Sequence, residues 1–250
     1  MPDAGKPVAL VTGGSDGIGR ALAVRLAREG YVVAIMGRRP ELLQAACHDI
    51  DAAGGEGASH AFRVDLTDRG AFPKKIDDVV EKLGRVDLFV ANAGTAGPSS
   101  ARHFDAREAQ RVIDLNVSAF MAGIAHVLPP MLERRSGHIV AVSSLAAFRG
   151  LPKSAVYCAT KAFVSTFMES FRGDLKGTGV FTTTVHPGFV RTALNAGAKN
   201  LPFIMTPERA ADAIWKAIKR KAPNVAFPFP LAAPLAAARL LPNGLYERFF

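Results

Sequence analysis

Cysteine is scarce in this sequence, where Cys47 and Cys158 are the only two among 250 residues. They fall in separate predicted helices, and two cysteines in so long a chain do not make the disulfide framework of a small secreted protein. Cys and His residues at zinc-binding spacing are lacking too, so we expect no resident metal. We therefore expect a protein of a reducing compartment, the cytoplasm.

Signals for export and for membrane insertion are also lacking. The first seven residues, MPDAGKP, do not place a basic segment before an apolar core, so we expect no signal peptide. No apolar run reaches membrane-spanning length without a charge or a proline. With 49% hydrophobic residues, the chain is expected to form one globular domain, residues 1–250, with a full core.

Long basic segments are absent, although the formal net charge is +9. The basic residues occur singly or in short groups such as Lys219-Arg220-Lys221, and no aromatic RNA-binding signature accompanies them. We therefore expect no nucleic-acid partner. A basic surface that attracts anionic cofactors or substrates is the preferred interpretation.

What the sequence does contain is a regular alternation of β-rich and amphipathic segments. This alternation predicts a doubly wound parallel sheet of about seven strands with helices on both faces, because parallel strands need crossover connections and are buried on both sides. The strands assigned from the sequence cover residues 7–12, 31–36, 59–66, 86–90, 137–142 and 179–185, and the helices cover 21–29, 41–53, 74–83, 105–128, 157–175 and 206–221.

A glycine-rich turn joins the first strand to the first helix. Glycine allows a tight turn and the close approach of a pyrophosphate, and the helix N-terminus adds free N–H groups and a partial positive charge. The turn therefore predicts a dinucleotide site. Its cofactor-binding residues are expected to be Gly13, Ser15, Asp16, Gly17, Ile18 and Gly19.

The end of the second strand discriminates between dinucleotides. An acidic residue there would accept a hydrogen bond from the ribose 2′-hydroxyl of NAD, whereas this sequence has Arg38 and Arg39. Arginine can bind a 2′-phosphate with a charge-assisted fork. We predict that NADP(H) is preferred over NAD(H), with Arg38 as the first candidate because it is nearer the strand end. The alternative is that both arginines are solvated residues at a helix entry.

Two further strand ends carry candidate contacts. Asp65 and Leu66 end the third predicted strand, where a carboxylate can accept a hydrogen bond from an adenine amine, but Asp65 and Thr67 could equally cap the next helix. The fourth strand leads into Asn92, Ala93 and Gly94. These residues are predicted at the same edge of the sheet.

A serine, a tyrosine and a lysine form the candidate catalytic group. Ser144 follows the buried strand 137–142, and Tyr157 and Lys161 stand at i and i+4 of the next helix. At this spacing the ammonium of Lys161 can lie beside the phenol of Tyr157. The pair alone is equally compatible with a solvated helix face, but a strand end facing a helix start is where open parallel sheets place their sites.

Asn116 lies in the middle of the amphipathic helix 105–128. Asparagine is a poor residue for a helix interior because its side chain competes for backbone hydrogen bonds. We interpret Asn116 as holding a water or a disturbed carbonyl in the site. The alternative is a surface position.

Together these segments resemble the short-chain dehydrogenase/reductase family, in its compact single-domain branch, from Lys6 to Lys221. Residues 12–19 are similar to the cofactor turn of the family, and residues 92–94 to its Asn-Asn-Ala-Gly motif. The resemblance implies a Rossmann-like fold with a catalytic tetrad of Asn116, Ser144, Tyr157 and Lys161. It also implies contacts to the nicotinamide end from Pro187, Gly188, Val190 and Thr192.

Two positions depart from the family pattern. Ala91 stands where the motif has its first asparagine, and we expect the lost side-chain hydrogen bond to cost stability more than chemistry. His186 stands where the family commonly has asparagine. We interpret His186 as a structural residue.

The resemblance implies direct hydride transfer between a nicotinamide and a carbonyl or secondary alcohol. Tyr157 would act as general acid in reduction and general base in oxidation, with its pKa lowered from about 10 by the neighbouring ammonium and by an oxidised nicotinamide. Ser144 would donate to the substrate oxygen. Lys161 would hold the ribose, and Asn116 would support a water relay from Lys161 to solvent.

The segments that border the pocket in this fold, residues 193–205 and the tail 222–250, are rich in Ala, Leu, Pro and Phe. An apolar substrate is therefore expected. The alternatives are a 3-ketoacyl-thioester or keto-lipid (3-ketosphinganine-like) reductase and a non-catalytic NADP-binding regulator. The tail is expected to pack on its own domain or on another subunit of a homodimer or homotetramer, and contact with a membrane surface is less favoured.

Overall fold

A central parallel sheet organises the protein. The computed structural model describes residues 5–97, 99–198 and 200–249. The strands are β1 (Val8–Thr12), β2 (Val32–Gly37), β3 (Ser59–Arg63), β4 (Leu88–Ala91), β5 (Gly137–Val142), β6 (Val180–Pro187) and β7 (Asn224–Phe227). They form one seven-stranded sheet in the order β3-β2-β1-β4-β5-β6-β7, which confirms the predicted doubly wound parallel sheet.

Helices cover both faces of this sheet. They are α1 (Gly17–Arg28), α2 (Pro40–Gly54), α3 (Ala71–Leu83), α4 (Ala106–Ile113), α5 (Ala119–Glu133), α6 (Ala155–Asp174), α7 (Pro207–Lys219), α8 (Phe229–Ala238) and α9 (Asn243–Tyr246). Buried side chains of α1, α2 and α7 form one apolar core, and those of α3, α5 and α6 form the other. Residues 1–4 of the N-terminal segment, Lys199 of the segment 193–205 and Phe250 of the tail lie outside the described part.

The strand order creates a crevice at the carboxyl edge of the sheet. β1 lies between β2 and β4, so the loop after β1 leads towards one half of the sheet and the loop after β4 towards the other. In open parallel sheets a ligand site forms where the loops diverge in this way.

Two strand assignments from the sequence need correction. The third strand ends at Arg63 rather than at Leu66, because its partner β2 ends at Gly37, the residue that pairs with Arg63. β7 was not assigned at all. It has four residues, of which only Phe227 is buried, so neither alternation nor an apolar run marks it.

The helix assigned to residues 105–128 is longer than predicted. α4, a π-helical turn (Asp114–Ser118) and α5 form one continuous helix that passes through Pro129 and Pro130 to Glu133. Prolines at these positions leave the carbonyls of Ala125 and His126 without helical donors, and both residues are exposed, where water can bind. Within the described residues this helix alone is long and apolar enough to cross a membrane, but its apolar side chains, including Phe120 and Ile124, pack in the core.

The apolar tail packs on its own chain. β7 extends the sheet beside β6, and α8 places Leu231 against Gly188, where an added Cβ would lie 2.9 Å from the Leu231 side chain. Tyr246 in α9 reaches the backbone of Gly150. The tail therefore borders the carboxyl edge of the sheet, where the candidate residues lie.

Candidate active site

The glycine turn after β1 has the left-handed backbone that only glycine adopts without strain. Gly13 and Gly17 have φ of 65° and 54°. A Cβ on Gly17 would lie 2.8 Å from the side chain of Thr192, so the turn and the segment after β6 approach each other with no room for a side chain. Asp16 caps α1 by accepting from Gly17 N at 2.7 Å.

Gly19 packs the first turn of α1 against the end of β1. It does not line the cleft. A Cβ at this position would lie 2.3 Å from the carbonyl oxygen of Gly13, so no larger residue would fit. The structure therefore shows a packing role for Gly19, and its predicted contact with the cofactor stays a prediction.

Asn92 fastens the turn to β4. Its Nδ2 donates to the carbonyl oxygens of Thr12 and Gly13 at 3.0 and 3.2 Å. The hydroxyl of Thr12 accepts in return from the backbone N–H groups of Asn92 and Ala93 at 3.1 and 3.2 Å. These bonds join the two loops whose divergence opens the crevice.

Arginines and carboxylates alternate at the outer end of the cleft. Arg38 Nη1 lies 3.4 Å from Asp65 Oδ2, and Arg39 Nη2 lies 3.3 Å from Asp16 Oδ2. Asp65 also accepts from the backbone N–H and the hydroxyl of Thr67 at 2.9 and 2.7 Å. Partial burial acts to raise the pKa of Asp65, but the two bonds from Thr67 and the charge of Arg38 outweigh it, and the pKa is lowered. Asp65 does not cap α3, whose first N–H groups are bound by Asp68.

Ser144 and Tyr157 meet in the cleft across the loop that joins β5 to α6. Ser144 begins a short 3₁₀ turn and accepts from Ala146 N at 3.1 Å. Tyr157 lines the same part of the cleft, where the side chain of Ser144 is near enough to its hydroxyl to favour the phenolate. A proton donor and a second hydroxyl therefore converge on one point of the cleft.

The expected lowering of the Tyr157 pKa is wrong for the protein itself. Burial raises the pKa of Tyr157 above its ordinary value, although the neighbouring side chain of Ser144 opposes the change. The ammonium of Lys161 lies 5.8 Å from the centroid of the Tyr157 ring. Desolvation is the largest influence on the phenol, so the phenol is held protonated near neutral pH.

Lys161 is buried behind Tyr157. Its side chain crosses to β5, where Nζ donates to the carbonyl oxygen of Val142 at 2.8 Å. Only 5% of Lys161 is exposed, and burial lowers its pKa from 10.5 to about 8. The loop after β4 passes close to it at Gly94, where a Cβ would lie 3.2 Å from Nζ.

Asn116 lies behind the cleft rather than in it. Within the π-helical turn its Nδ2 donates to Thr95 O and Thr160 Oγ1 at 2.9 and 3.0 Å, and its Oδ1 accepts from Thr95 N at 2.8 Å. The disturbed helix agrees with the expected disturbance of the backbone. The amide, however, is fully engaged in holding the loop after β4 and α6. An interior cavity of about 10 Å³ between Asn116 and Lys161 is at the lower limit for one water.

A second hydrogen-bond network holds α6 from below. Ser143 Oγ donates to Lys161 O at 2.8 Å and lies 2.8 Å from Ser165 Oγ. Ser165 Oγ in turn lies 3.1 Å from His186 Nε2. Burial lowers the pKa of His186 to about 4, so a neutral imidazole takes part in this network. His186 is outside the cleft.

The cleft has a volume of about 540 Å³ and brings together most residues predicted from the sequence. Those lining it are Gly13, Ser15, Asp16, Gly17, Ile18, Arg38, Arg39, Asp65, Leu66, Asn92, Ala93, Gly94, Ser144, Tyr157, Lys161, Pro187, Gly188, Val190 and Thr192. Sequence reasoning missed Thr95, Leu194 and Asn195, which line it as well. Thr95 directly follows Gly94, but it contributes to the site through its backbone N–H and carbonyl groups, which leave no pattern in the sequence.

The comparisons with known proteins identify the class of protein. The family model of the short chain dehydrogenases matches residues 7–200. An uncharacterized oxidoreductase of Myxococcus xanthus is 44% identical over 240 residues, which cover 96% of this chain and 94% of that protein. The ketoacyl reductase HetN of Nostoc sp. is 35% identical over 227 residues, covering 88% and 78%.

A solved structure agrees with these relatives. The short-chain dehydrogenase from Sphingobium yanoikuyae in complex with NADPH superposes with a TM-score of 0.83 at 28% identity, over 97% of this chain and 94% of that chain. The chain belongs to the short-chain dehydrogenase family. It is an oxidoreductase that acts between an alcohol and a carbonyl with a nicotinamide dinucleotide.

The cleft fits such a dinucleotide. The glycine turn leaves a cradle that a single Cβ would fill, and the N-terminus of α1 opens onto it. Arginines lie at one end, and Tyr157 and Lys161 at the other. The residues present can therefore hold the phosphates near the turn and the nicotinamide near Tyr157.

Proposed function

We propose that this protein is an NADP(H)-dependent reductase that converts an apolar ketone to a secondary alcohol. The observation that supports it is the convergence of Ser144, Tyr157 and Lys161 on the cleft that also contains the glycine turn. When bound, the reduced dinucleotide supplies the hydride. The chain has to hold the carbonyl, stabilise its oxygen and deliver a proton.

The three side chains divide these tasks. Ser144 donates to the carbonyl oxygen as negative charge develops there. Tyr157, whose pKa is raised by burial, is protonated at neutral pH and gives its proton to the same oxygen. The Lys161 ammonium then stabilises the phenolate until a proton is regained from solvent. The raised pKa suits an acid better than a base, so reduction is the favoured direction.

Tyr157→Phe tests this assignment. We expect turnover to fall by about a hundred- to ten-thousandfold, because a proton donor is worth roughly 10² to 10⁴ in rate, while the Kd for NADPH measured by its fluorescence stays within about twofold. Tyr31→Phe is the matched control, since Tyr31 packs on Trp215, away from the cleft. Near-normal turnover of Tyr157→Phe would contradict the proposal.

The preference for NADP(H) is proposed on the two arginines at the adenosine end. The side chains of Arg38 and Arg39 are 69% and 59% exposed, so either guanidinium can turn towards a 2′-phosphate. Each faces a carboxylate in the protein alone, and a bound phosphate would compete with Asp65 or Asp16 for it. The net contribution of each arginine to NADPH affinity is therefore the free energy of its contact with the phosphate minus that of its contact with the carboxylate.

Arg38→Ala is expected to weaken NADPH binding by about ten- to a hundredfold, the loss of a charge-assisted bond worth roughly 1.5 to 3 kcal/mol, with little change for NADH. The exposed Arg107 on α4 provides the control as Arg107→Ala. Isothermal titration with both dinucleotides measures the difference. An equal loss of affinity for NADPH and NADH would show that Arg38 does not bind the 2′-phosphate.

An apolar substrate is proposed because large apolar side chains are exposed around the nicotinamide end. Leu194 lines the cleft and is 51% exposed. Phe203 and Ile204 are exposed beside Met205, which pairs with Val190 of the cleft wall, and Phe229 is exposed in the tail. Such a rim favours substrates with an alkyl or aryl chain next to the carbonyl.

A reductase of 3-ketoacyl thioesters or keto lipids is the second candidate, favoured by the similarity to a ketoacyl reductase. NADPH oxidation with octan-2-one, acetoacetyl-CoA and 3-ketosphinganine would separate the two. Turnover with any of them would also exclude a non-catalytic regulator.

We further propose a homodimer, because Met121 of α5 and Phe163 of α6 are exposed apolar side chains, and light scattering would measure its mass.

A further inference from the structure

The tail contacts the loop that sets the geometry of the site. This loop, residues 145–153, connects Ser144 after β5 to α6, where Tyr157 lies. Because the two hydroxyls stand at opposite ends of it, a shift of the loop changes how both meet a substrate oxygen. The middle of the loop contains Phe148, Arg149 and Gly150.

Arg149 and Tyr246 form a reciprocal pair between loop and tail. The guanidinium of Arg149 lies 4.4 Å from the centroid of the Tyr246 ring, and Arg149 Nη2 donates to the carbonyl oxygen of Leu241 at 2.9 Å. Tyr246 Oη donates to the carbonyl oxygen of Gly150 at 3.0 Å. Each side chain thus stacks on the other and bonds the backbone on the opposite side.

A second contact continues beneath the site. The guanidinium of Arg239 lies 5.6 Å from the ring of Phe148, whose centroid is 5.0 Å from that of His186. His186 is bonded to Ser165, which donates to the carbonyl oxygen of Lys161. The tail is therefore connected to the helix of Tyr157 and Lys161 from two directions.

Neither contact is explained by the covering of apolar surface alone. Leu240, between Arg239 and Leu241, is 88% exposed, so its side chain does not pack on the loop, whereas Arg239 and Tyr246 of the same segment contact it. Stacked guanidinium groups hold a fixed orientation, because the planar fork stacks and donates in one geometry. Such a contact fixes the position of the loop more than it adds to the binding energy between loop and tail.

We propose that Arg149 and Tyr246 are positioning residues, and that residues 239–246 form a C-terminal clamp that holds the loop 145–153 in its catalytic position. The clamp acts on the substrate side of the cleft and leaves the glycine turn untouched. Its effect on turnover depends on the proposed carbonyl reduction, but its effect on the loop does not.

The experiment compares Tyr246→Ala, Tyr246→Phe and Leu240→Ala in the full chain. Tyr246→Phe keeps the ring under Arg149 and removes the hydroxyl that bonds Gly150, while Leu240→Ala shortens an exposed side chain of the same segment. Hydrogen exchange of peptides covering residues 145–153 reports the loop. NADPH affinity, kcat and KM with octan-2-one, or with whichever ketone is turned over, report the site.

For Tyr246→Ala we expect at least fivefold faster exchange in the loop, an unchanged Kd for NADPH and a fall of about tenfold in kcat/KM, carried mainly by KM. Tyr246→Phe should lie between this variant and wild type, and Leu240→Ala should match wild type. Arg149→Lys, which keeps the charge but loses the planar stack, should behave as Tyr246→Ala does. The kcat/KM of the double variant Arg149→Lys/Tyr246→Ala should be no lower than that of either single variant, because both changes break the same contact.

Unchanged exchange in the loop of Tyr246→Ala would overturn the clamp, whatever the activity. If no ketone is turned over, the reductase proposal fails and the exchange data still decide the clamp. If exchange also rises in α1, the domain as a whole has loosened, and the decision passes to Tyr246→Phe. Wild-type exchange in the loop of that variant, with wild-type KM where a ketone is turned over, would then overturn the proposal.

Discussion

Lys161→Met is expected to stabilise the protein relative to wild type most strongly near neutral pH, although it removes a residue that the proposed reaction needs. Lys161 is only 5% exposed, and burial lowers its pKa from 10.5 to about 8. One pKa unit corresponds to about 1.4 kcal/mol. Keeping the folded protein protonated at pH 7 therefore costs about 3 kcal/mol of stability, a cost that methionine does not have.

The sign of the pH dependence follows from proton binding. The unfolded chain keeps the Lys161 proton up to about pH 10.5, whereas the folded protein releases it near pH 8. Between these values the unfolded state binds more protons, so the stability of the wild type rises with pH. The stability advantage of Lys161→Met should therefore shrink by about 2 to 3 kcal/mol between pH 7 and pH 10.

Urea unfolding followed by tryptophan fluorescence measures this difference. Trp215 is the single tryptophan of the chain and is buried in the core, so its emission reports global unfolding. Both proteins are compared in a Tyr157→Phe background, because the phenol beside Lys161 also titrates in the alkaline range. A stability difference that stays constant within about 0.5 kcal/mol from pH 7 to pH 10 would refute the buried charge.

Two further predictions concern the groups behind the cleft. Asn116→Ala removes the partner of both backbone groups of Thr95 and of the Thr160 hydroxyl, and urea unfolding should show a loss of about 2 to 4 kcal/mol, since each buried group left unpaired costs roughly 1 to 3; a loss below about 0.5 kcal/mol would contradict the network. His186, whose pKa falls from 6.5 to about 4, opposes protonation of the folded state, so wild-type stability should decline as the pH falls from 6.5 towards 4. In His186→Asn this decline should be smaller by about 1 to 3 kcal/mol, and an unchanged pH profile would show that the imidazole is not held neutral.

Much of the site was predictable because it depends on side chains at strand ends. Glycines after β1, Arg38 after β2 and Ser144 after β5 lie at the carboxyl edge for a topological reason, and a parallel sheet brings them together. The i, i+4 spacing then fixes Tyr157 and Lys161 on one helix face. Where function follows from position along a strand or helix, the sequence pattern is sufficient.

The parts that failed depend on the balance of tertiary effects. A lysine at i+4 suggested a lowered phenol pKa, but desolvation raises the pKa of Tyr157, and burial cannot be calculated from spacing. β7 was not predicted because its short sequence shows no strand pattern. Its backbone pairing with β6 makes it a strand. The ion pairs of Arg38 and Arg39 could not be predicted for a similar reason, because Asp65 and Asp16 come from other loops.

The π-helical turn has a consequence for how one long helix serves two neighbours. It accommodates one residue more than regular α-helical winding, and each residue advances the side-chain direction by about 100°. The apolar stripe of α5 is therefore rotated relative to that of α4. α4 packs beside α6 while α5 packs beside α3, so one continuous helix presents its apolar side to two neighbours, and the change of phase falls at Asn116.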